Sequence, residues 1–324
     1  SLYFIEDTGD IKQWLKTMSA KMSRVESSAE LLLRLFGKMI ENDIIYLSHL
    51  EKKTEDLEDR LIDGDSDNFF EKLPQPQRKL SELNAYFSSR TPTNKNEKTG
   101  MFKGCNLILI TAESFSYLAI DPELTPTLYK LQTEGFNFTN FYTPYWDVST
   151  SDGEYAALTG TIPKPGTWSF RDSAENAMPL TMAQQLKRLG YSAYAYHDHT
   201  YTYYSRDKSH PNLGYDYKGV GNGLNIKVMW PESDVDMMNA TLDTVLADEH
   251  FMTYYLTVSG HLEYNFFGNA MAMRNEEAVA ELDLPEAARA YLACNIELDK
   301  AIGVLLQKLE ETGHDKDTVI MLAP

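Results

Sequence analysis

The sequence has few cysteines, few basic residues and no long apolar run, and each shortage excludes a class of protein. Two cysteines among 324 residues are too few for a disulfide framework or a cysteine-based metal site. Acidic residues number 48 against 30 basic ones, a net charge of −18, which argues against a general nucleic-acid-binding protein. No apolar run reaches the roughly 18 residues that span a bilayer, and the N-terminus lacks the pattern of a signal peptide.

The first part of the chain has the spacing of a helical arm. Apolar side chains recur at alternating intervals of four and three residues from Ile11 to Met39, which is the a/d spacing of packed helices. We therefore predict a helical arm over residues 1–89, which either forms an oligomer through residues 10–50 or packs as a hairpin on its own domain. Residues 90–100 contain no large apolar side chain, and we predict a linker over 90–103.

Strand-like and helix-like stretches alternate from residue 104 to residue 324. This order predicts an α/β fold with a mostly parallel sheet sandwiched by helices. The predicted strands cover 106–111, 191–196, 252–258 and 318–322, with a further β-rich stretch at 136–142. The predicted helices cover 125–134, 180–189, 235–246 and 286–311.

Polar side chains follow several of these apolar strands. Glu113 comes after the first strand, His199 after the second and His261 after the third. Ligands of open α/β sheets bind outside the carboxyl ends of the strands, so we expect these groups to share one cleft. Each histidine taken alone also fits a structural role.

A carboxylate near a hydroxyl suggests a metal-activated nucleophile, because a free threonine hydroxyl is a poor nucleophile near neutral pH. Glu113 and Thr150 are the candidates; alternatively, Glu113 only ends a strand and Thr150 only caps a helix. Arg206 carries a planar fork that suits a phosphate or a carboxylate. Its alternative is a salt bridge with Asp207 or another nearby acid.

The ordered motifs of residues 104–324 resemble the lipoteichoic acid synthase family of phosphoglycerol transferases, within the alkaline phosphatase/sulfatase superfamily. The resemblance is carried by Asn106-Leu-Ile-Leu-Ile-Thr-Ala-Glu113-Ser114, Thr150-Ser-Asp-Gly-Glu-Tyr155, Tyr203-Tyr-Ser-Arg206 and Leu256-Thr-Val-Ser-Gly-His261. Shorter motifs at 124–128, 141–142, 213–216 and 299–303 occur in the same order. Any one motif is weak, whereas the ordered set is specific.

The resemblance implies a metal-dependent transferase on the extracellular face of a bacterial membrane. Its donor is a phosphatidylglycerol-like lipid, its acceptor a glycolipid or polyol phosphate, and its metal manganese, with magnesium or zinc as alternatives. Because the chain begins at Ser1 rather than at Met, we expect it to be part of a longer protein whose membrane segments lie outside this sequence.

The matching positions imply roles for six residues. Thr150 resembles the nucleophile, which forms a covalent glycerophosphoryl intermediate and also binds the metal, and Glu113 resembles a second metal ligand. The implied substrate-binding residues are an aromatic side chain, Tyr204, a phosphate-binding arginine, Arg206, a head-group histidine, His261, and His199, which stands where the family often has an acid.

One departure concerns the metal. The family has an Asp-His ligand pair after the strand that corresponds to 318–322, whereas this chain continues with Ala323-Pro324. We therefore expect a catalytic domain that is C-terminally truncated, lacks two metal ligands, binds metal weakly and has little activity. The open alternatives are a phosphoethanolamine transferase, a sulfatase-like hydrolase and a non-catalytic scaffold.

Overall fold

The computed structural model describes residues 75–142 and 147–324. Most of the predicted helical arm, including the oligomer surface at residues 10–50, lies outside these residues. Contacts divide the chain between Glu97 and Lys98, and the predicted linker over 90–103 stays a prediction. Helix α1 (Gln75–Ser88) belongs to the first unit.

The second unit contains five strands and nine α-helices among the described residues. The strands are β1 (Asn106–Thr111), β2 (Ser192–Thr200), β3 (Asp216–Val220), β4 (Phe251–Leu256) and β5 (Thr318–Ala323). The helices are α2 (Pro126–Glu134), α3 (Ser149–Thr159), α4 (Ser169–Ser173), α5 (Met182–Lys187), α6 (Arg206–Asn212), α7 (Asp234–Val245), α8 (Ala270–Arg274), α9 (Glu276–Val279) and α10 (Glu286–Thr312).

All five strands form one parallel sheet in the order β3-β2-β4-β1-β5. Strand β1 pairs with β4 on one side and with β5 on the other, so Ile108 lies opposite both Thr253 and Ile320. This arrangement confirms the predicted α/β fold. It also explains why β1 reads as a continuous apolar run, because helices cover both faces of a parallel sheet.

Two apolar cores lie on the two faces of the sheet. On one face, Ile108 and Ile110 pack with α7 and α10. On the other face, Leu109 packs with residues of α3, α4 and α5. The alternation of side chains along β1 therefore assigns successive residues to opposite cores.

Two secondary-structure predictions were wrong. Residues 136–142 form no strand, and Phe138 and Tyr142 within them are 75% and 78% exposed. Their side chains do not pack in the interior, so burial does not favour the extended conformation that the aromatic content suggested. The second strand was also predicted to end at residue 196, whereas β2 continues through His197 and His199 to Thr200.

Strand β3 was missed because Asp216-Tyr-Lys-Gly-Val220 is short and has charged residues at alternate positions. It pairs only with β2 and is an edge strand, where such residues are tolerated. Within residues 75–142 and 147–324, no helix is long and apolar enough to cross a membrane.

Candidate active site

Glu113 and Thr150 meet beyond the carboxyl end of β1. The hydroxyl of Thr150 donates a hydrogen bond of 2.8 Å from Oγ1 to Oε2 of Glu113. The other carboxylate oxygen, Oε1, accepts a hydrogen bond of 2.9 Å from the Ser114 hydroxyl. The structure thus brings together the two residues that the sequence selected as nucleophile and metal ligand.

The packing of β1 against β4 fixes the position of Glu113. Its backbone N–H donates to Oγ1 of Thr257 at 3.1 Å, just after β4. A Cβ atom added to Gly260 would lie 2.2 Å from the carbonyl oxygen of Glu113. Only glycine allows the two chain segments to approach this closely.

The start of α3 fixes the position of Thr150. One oxygen of Asp152, Oδ2, accepts hydrogen bonds of 2.8 Å from the backbone N–H groups of Asp147 and Val148. These bonds hold the segment that leads into the helix. Thr150 is the second residue of α3, so a buried and hydrogen-bonded turn supports its side chain.

The backbone is strained next to the predicted site residues. Within the described part of the chain, the non-glycine residues with positive φ are Ser114 (54°), Ser149 (47°), Tyr204 (56°) and Ser205 (57°). The three serines adjoin Glu113, Thr150 and Arg206, and Tyr204 is itself a predicted site residue. Each such residue costs on the order of 1–3 kcal/mol, and strain of this kind concentrates at active sites and ligand-binding loops.

Arg206 is buried and paired with an acid that the sequence analysis did not single out. Its Nε and Nη2 atoms donate to Oε2 of Glu154 at 2.9 and 2.7 Å, and only 2% of the residue is exposed. The third nitrogen, Nη1, has no hydrogen-bond partner among the residues that the structure describes. The pair is therefore a buried one with Glu154, and Nη1 is a buried donor that no described residue satisfies.

Glu154 stays ionised in this setting. Burial alone raises the pKa of its carboxyl group, but the charge of Arg206 and the hydrogen bond with His210 outweigh burial and lower the pKa to about 2. Its second oxygen accepts from the Tyr254 hydroxyl at 3.3 Å. Glu154 lies four residues after Thr150 on α3 and so connects the helix of the candidate nucleophile to Arg206.

A row of ring contacts connects the remaining predicted residues. The centroid distances are 5.3 Å from Trp168 to Tyr204, 4.4 Å from Tyr204 to Tyr203, 5.7 Å from Tyr203 to His199, 5.5 Å from His199 to Trp230 and 4.7 Å from Trp230 to His261. The row begins beside Thr150, because Trp168 Nε1 donates to Oγ of Ser151 at 2.8 Å. The predicted site residues thus form one connected group.

Sequence reasoning missed Glu154, Trp168, Trp230 and Glu232. Glu154 could have been predicted, because it lies in the same motif as Thr150 and four residues after it, which places both on one helix face. The two tryptophans and Glu232 are far from their partners in the sequence. No spacing rule connects residues that meet only through the fold.

His197 has a structural role. It is buried, and its Nδ1 lies 3.0 Å from the carbonyl oxygen of Leu256 on the neighbouring strand. Burial, together with the positive charge of Arg206, holds the pKa of its imidazole well below the usual value. The neutral ring donates a hydrogen bond to a carbonyl of the neighbouring strand, so its role is to stabilise the sheet.

Two candidate metal ligands lie together among the described residues. Glu113 and Thr150 offer adjacent oxygen ligands of the kind that hard divalent cations prefer. Within residues 75–142 and 147–324, no group of three or more His, Cys, Asp or Glu side chains could hold a metal ion. The donor chemistry therefore fits the expected cation, whereas these residues supply too few ligands to complete its coordination.

The chain is similar to lipoteichoic acid synthases. A family model described as Sulfatase matches residues 105–323. Lipoteichoic acid synthase 1 of Bacillus subtilis (strain 168) is 25% identical over 263 residues, which cover 75% of this chain and 39% of that protein. Lipoteichoic acid synthase-like YvgJ of the same organism is 20% identical over 235 residues, which cover 69% of this chain and 37% of that protein.

A solved structure also resembles this fold. The lipoteichoic acid synthase LtaP from Listeria monocytogenes superimposes with a TM-score of 0.63 at 22% identity, over 75% of this chain and 60% of that one. This chain spans about two fifths of the length of the two curated relatives.

Proposed function

The chain belongs to the sulfatase family, and from that premise we propose that it is the catalytic part of a metal-dependent phosphoglycerol transferase. In this proposal, glycerophosphate passes from a phosphatidylglycerol-like lipid to a glycolipid or polyol-phosphate acceptor. Similarity to lipoteichoic acid synthases supports this substrate class. The proposal depends above all on the 2.8 Å hydrogen bond between Thr150 Oγ1 and Glu113 Oε2.

The reaction is a double displacement on Thr150. In the first step, its Oγ1 forms a bond to the donor phosphorus, the bond from phosphorus to the diacylglycerol oxygen breaks, and that oxygen leaves with a proton. Oε2 of Glu113 accepts the hydrogen bond of the attacking hydroxyl. In the second step, the acceptor hydroxyl attacks phosphorus, the bond to Oγ1 breaks, and Thr150 regains its proton.

A bound divalent cation, held by Glu113 and Thr150, would lower the pKa of the threonine hydroxyl and neutralise phosphate charge. We propose manganese, with magnesium or zinc as alternatives. Arg206, whose buried Nη1 has no hydrogen-bond partner among the described residues, would bind a phosphate oxygen, and its charge would stabilise the transition state. His261, His199 and Tyr204 would contact the head group.

The proposed location is the extracellular face of a bacterial membrane, because the similarity to lipoteichoic acid synthases supports it. We propose a catalytic unit over residues 104–324 after a helical arm, and the arm would supply any oligomer contact.

The direct test looks for the covalent intermediate. The full-length natural protein is incubated with phosphatidylglycerol vesicles and manganese, and its peptides are analysed by mass spectrometry. We expect a glycerophosphoryl adduct on the peptide that contains Thr150. Thr150→Ala abolishes it, whereas Thr159→Ala, at the other end of the same helix, leaves it unchanged.

An unmodified Thr150 together with equal turnover of the wild type and Thr150→Ala would refute the transferase and leave the non-catalytic scaffold. A sulfatase-like hydrolase is less favoured, because Thr150-Ser-Asp-Gly-Glu154 lacks the Cys or Ser followed by x-Pro-x-Arg that sulfatases use.

A phosphoethanolamine transferase is the second candidate, because the aromatic faces of Tyr203 and Trp230 could bind an ammonium group. A parallel incubation with phosphatidylethanolamine vesicles decides between the two head groups. The phosphoglycerol proposal predicts an adduct only with the phosphatidylglycerol donor.

A further inference from the structure

Glu232 lies behind one of the candidate substrate residues. Its Oε1 is 3.2 Å from Nδ1 of His199. The side chain of Glu232 is 3% exposed, whereas that of His199 is 26% exposed. The imidazole is therefore the part of this pair that a ligand can reach.

We infer that Glu232 is a positioning residue that fixes His199 as the acceptor of a hydrogen bond from a hydroxyl group of the transferred head group. The inference rests on the proposed function. A carboxylate only accepts, so the proton of the neutral ring lies on Nδ1 and the lone pair on Nε2 remains free. Glycerophosphate carries hydroxyl donors that match this lone pair.

The segment that contains Glu232 also holds the second candidate histidine. The ring of Trp230 packs 5.5 Å from that of His199 and 4.7 Å from that of His261. Asp234 Oδ1 accepts from the backbone N–H groups of Val258 and Ser259, at 3.0 and 3.2 Å. Residues 230–234 therefore set the position of both histidines from one side.

The setting of Glu232 is unfavourable for a residue that serves stability alone. Its Oε2 has no hydrogen-bond partner among the described residues, and the residue is 2% exposed. It also interacts electrostatically with Asp198, a second buried acid. A buried carboxylate with an unsatisfied oxygen costs free energy. We attribute the presence of an acid at this buried position to its hydrogen bond with His199.

The test compares two ligands that differ only in hydroxyl groups. Glycerol phosphate and propyl phosphate carry the same charge, and the second lacks both hydroxyls. Their dissociation constants are measured by calorimetry at pH 8, where imidazole groups are ordinarily neutral, using the protein of the adduct experiment. The variants are His199→Phe, which keeps a ring, and Glu232→Gln, which keeps the shape of the side chain.

A matched control comes from the opposite end of the sheet. His250 precedes β4 and stacks on Tyr191 at 5.1 Å, so His250→Phe replaces the same residue type away from the site. Glu249→Gln is the equivalent control for the acid, because Glu249 is exposed at that end.

The wild type is expected to prefer glycerol phosphate about tenfold, the value of one well-made hydrogen bond. His199→Phe brings this ratio close to one, and Glu232→Gln lowers it to about threefold, because an amide fixes the ring less firmly. Affinity for propyl phosphate stays the same in both, an outcome that a general loss of structure would not give.

A wild type without preference, or a preference that survives in both variants, overturns the inference. If the Thr150 adduct still forms in that case, the proposed function stands and only the role of Glu232 is lost. If neither ligand binds and no adduct forms, both proposals are refuted.

Discussion

Glu154 holds Arg206 in the protein interior, and replacing it tests how far the fold depends on that pair. Glu154→Gln removes the negative charge beside a guanidinium that is 2% exposed. Breaking a buried pair from one side costs roughly 3–5 kcal/mol, because the remaining charge is uncompensated. We expect a loss of unfolding free energy at the low end of that range in urea denaturation at pH 7, since the amide oxygen still accepts one hydrogen bond.

An exposed pair supplies the control for this substitution. Arg171 and Asp172 are 2.9 Å apart, with side chains 49% and 46% exposed. Solvent screens such a pair, so Asp172→Asn changes stability by less than about 1 kcal/mol. Equal losses in the two variants would show that burial adds nothing at Glu154.

The depressed pKa of Glu154 gives this pair a defined pH dependence. Its ordinary value is 4.5 and its value in the fold is about 2. The unfolded chain therefore takes up a proton first as the pH falls, so the stabilisation is complete above about pH 5 and is lost progressively toward pH 2. We expect the difference in unfolding free energy between the wild type and Glu154→Gln to decrease as the pH is lowered from 7 to 2.

Asp198 has the opposite dependence on pH. It is fully buried, and neither of its carboxyl oxygens has a hydrogen-bond partner among the described residues. Burial, followed by the charge of Asp234, raises its pKa well above the usual value. The unfolded chain loses this proton at lower pH than the folded one, so stability decreases as the pH rises above about 4. Asp198→Asn removes the titration while keeping the shape of the side chain.

We therefore expect Asp198→Asn to unfold at a higher temperature than the wild type at pH 8, with a smaller difference at pH 4. Differential scanning calorimetry at the two values measures this. Asp243→Asn, at a side chain that is 81% exposed, should change little at either pH. A destabilised Asp198→Asn protein at pH 8 would show that the carboxyl group is ionised and needed in that form.

At the level of elements, the site depends on how closely the ends of β1 and β4 approach. Gly260→Ala would place a methyl group 2.2 Å from the carbonyl oxygen of Glu113, so one of the two segments must move. We expect a lower melting temperature and loss of the Thr150 adduct, because a shift of Glu113 breaks its 2.8 Å contact with Thr150.

Gly153→Ala is the matched control within the site region. Gly153 lies inside α3, and a Cβ atom there would meet nothing within 4 Å. Alanine in a helix interior is more favourable than glycine by up to about 1 kcal/mol, so this variant should be more stable and should keep the adduct. An active Gly260→Ala protein would mean that the approach of the two segments is not required.

Elements could be predicted where one physical signal dominated. Strand β1 is apolar throughout, and α10 begins after Pro285 and ends at Gly313, whose φ of 78° suits a helix end. The edge strand β3 carries no such signal. In residues 136–142 the aromatic content predicted a strand, but burial decides whether β-forming residues adopt one.

At the scale of the whole molecule, the order of the strands decides which residues meet. The rule that ligands bind at the carboxyl ends of parallel strands placed Glu113, His199 and His261 together without coordinates. The same rule could not place Glu154 or Glu232, which act from helices and connecting segments behind the first layer of side chains. Their partners are set by tertiary packing.

The affinity for a divalent cation is a property of the whole chain. Within the described residues Glu113 and Thr150 come together as candidate ligands, whereas no group of three or more acidic, His or Cys side chains could hold a metal ion. Two oxygens leave most of the coordination to water, so we expect the 324-residue chain to bind manganese no more tightly than about 10⁻⁴ M, the range of weak oxygen-ligand sites. Calorimetry measures this, and Glu113→Gln should remove the heat that remains. Tight binding that Glu113→Gln abolishes would contradict the prediction and assign the missing ligands to residues 1–74 or 143–146.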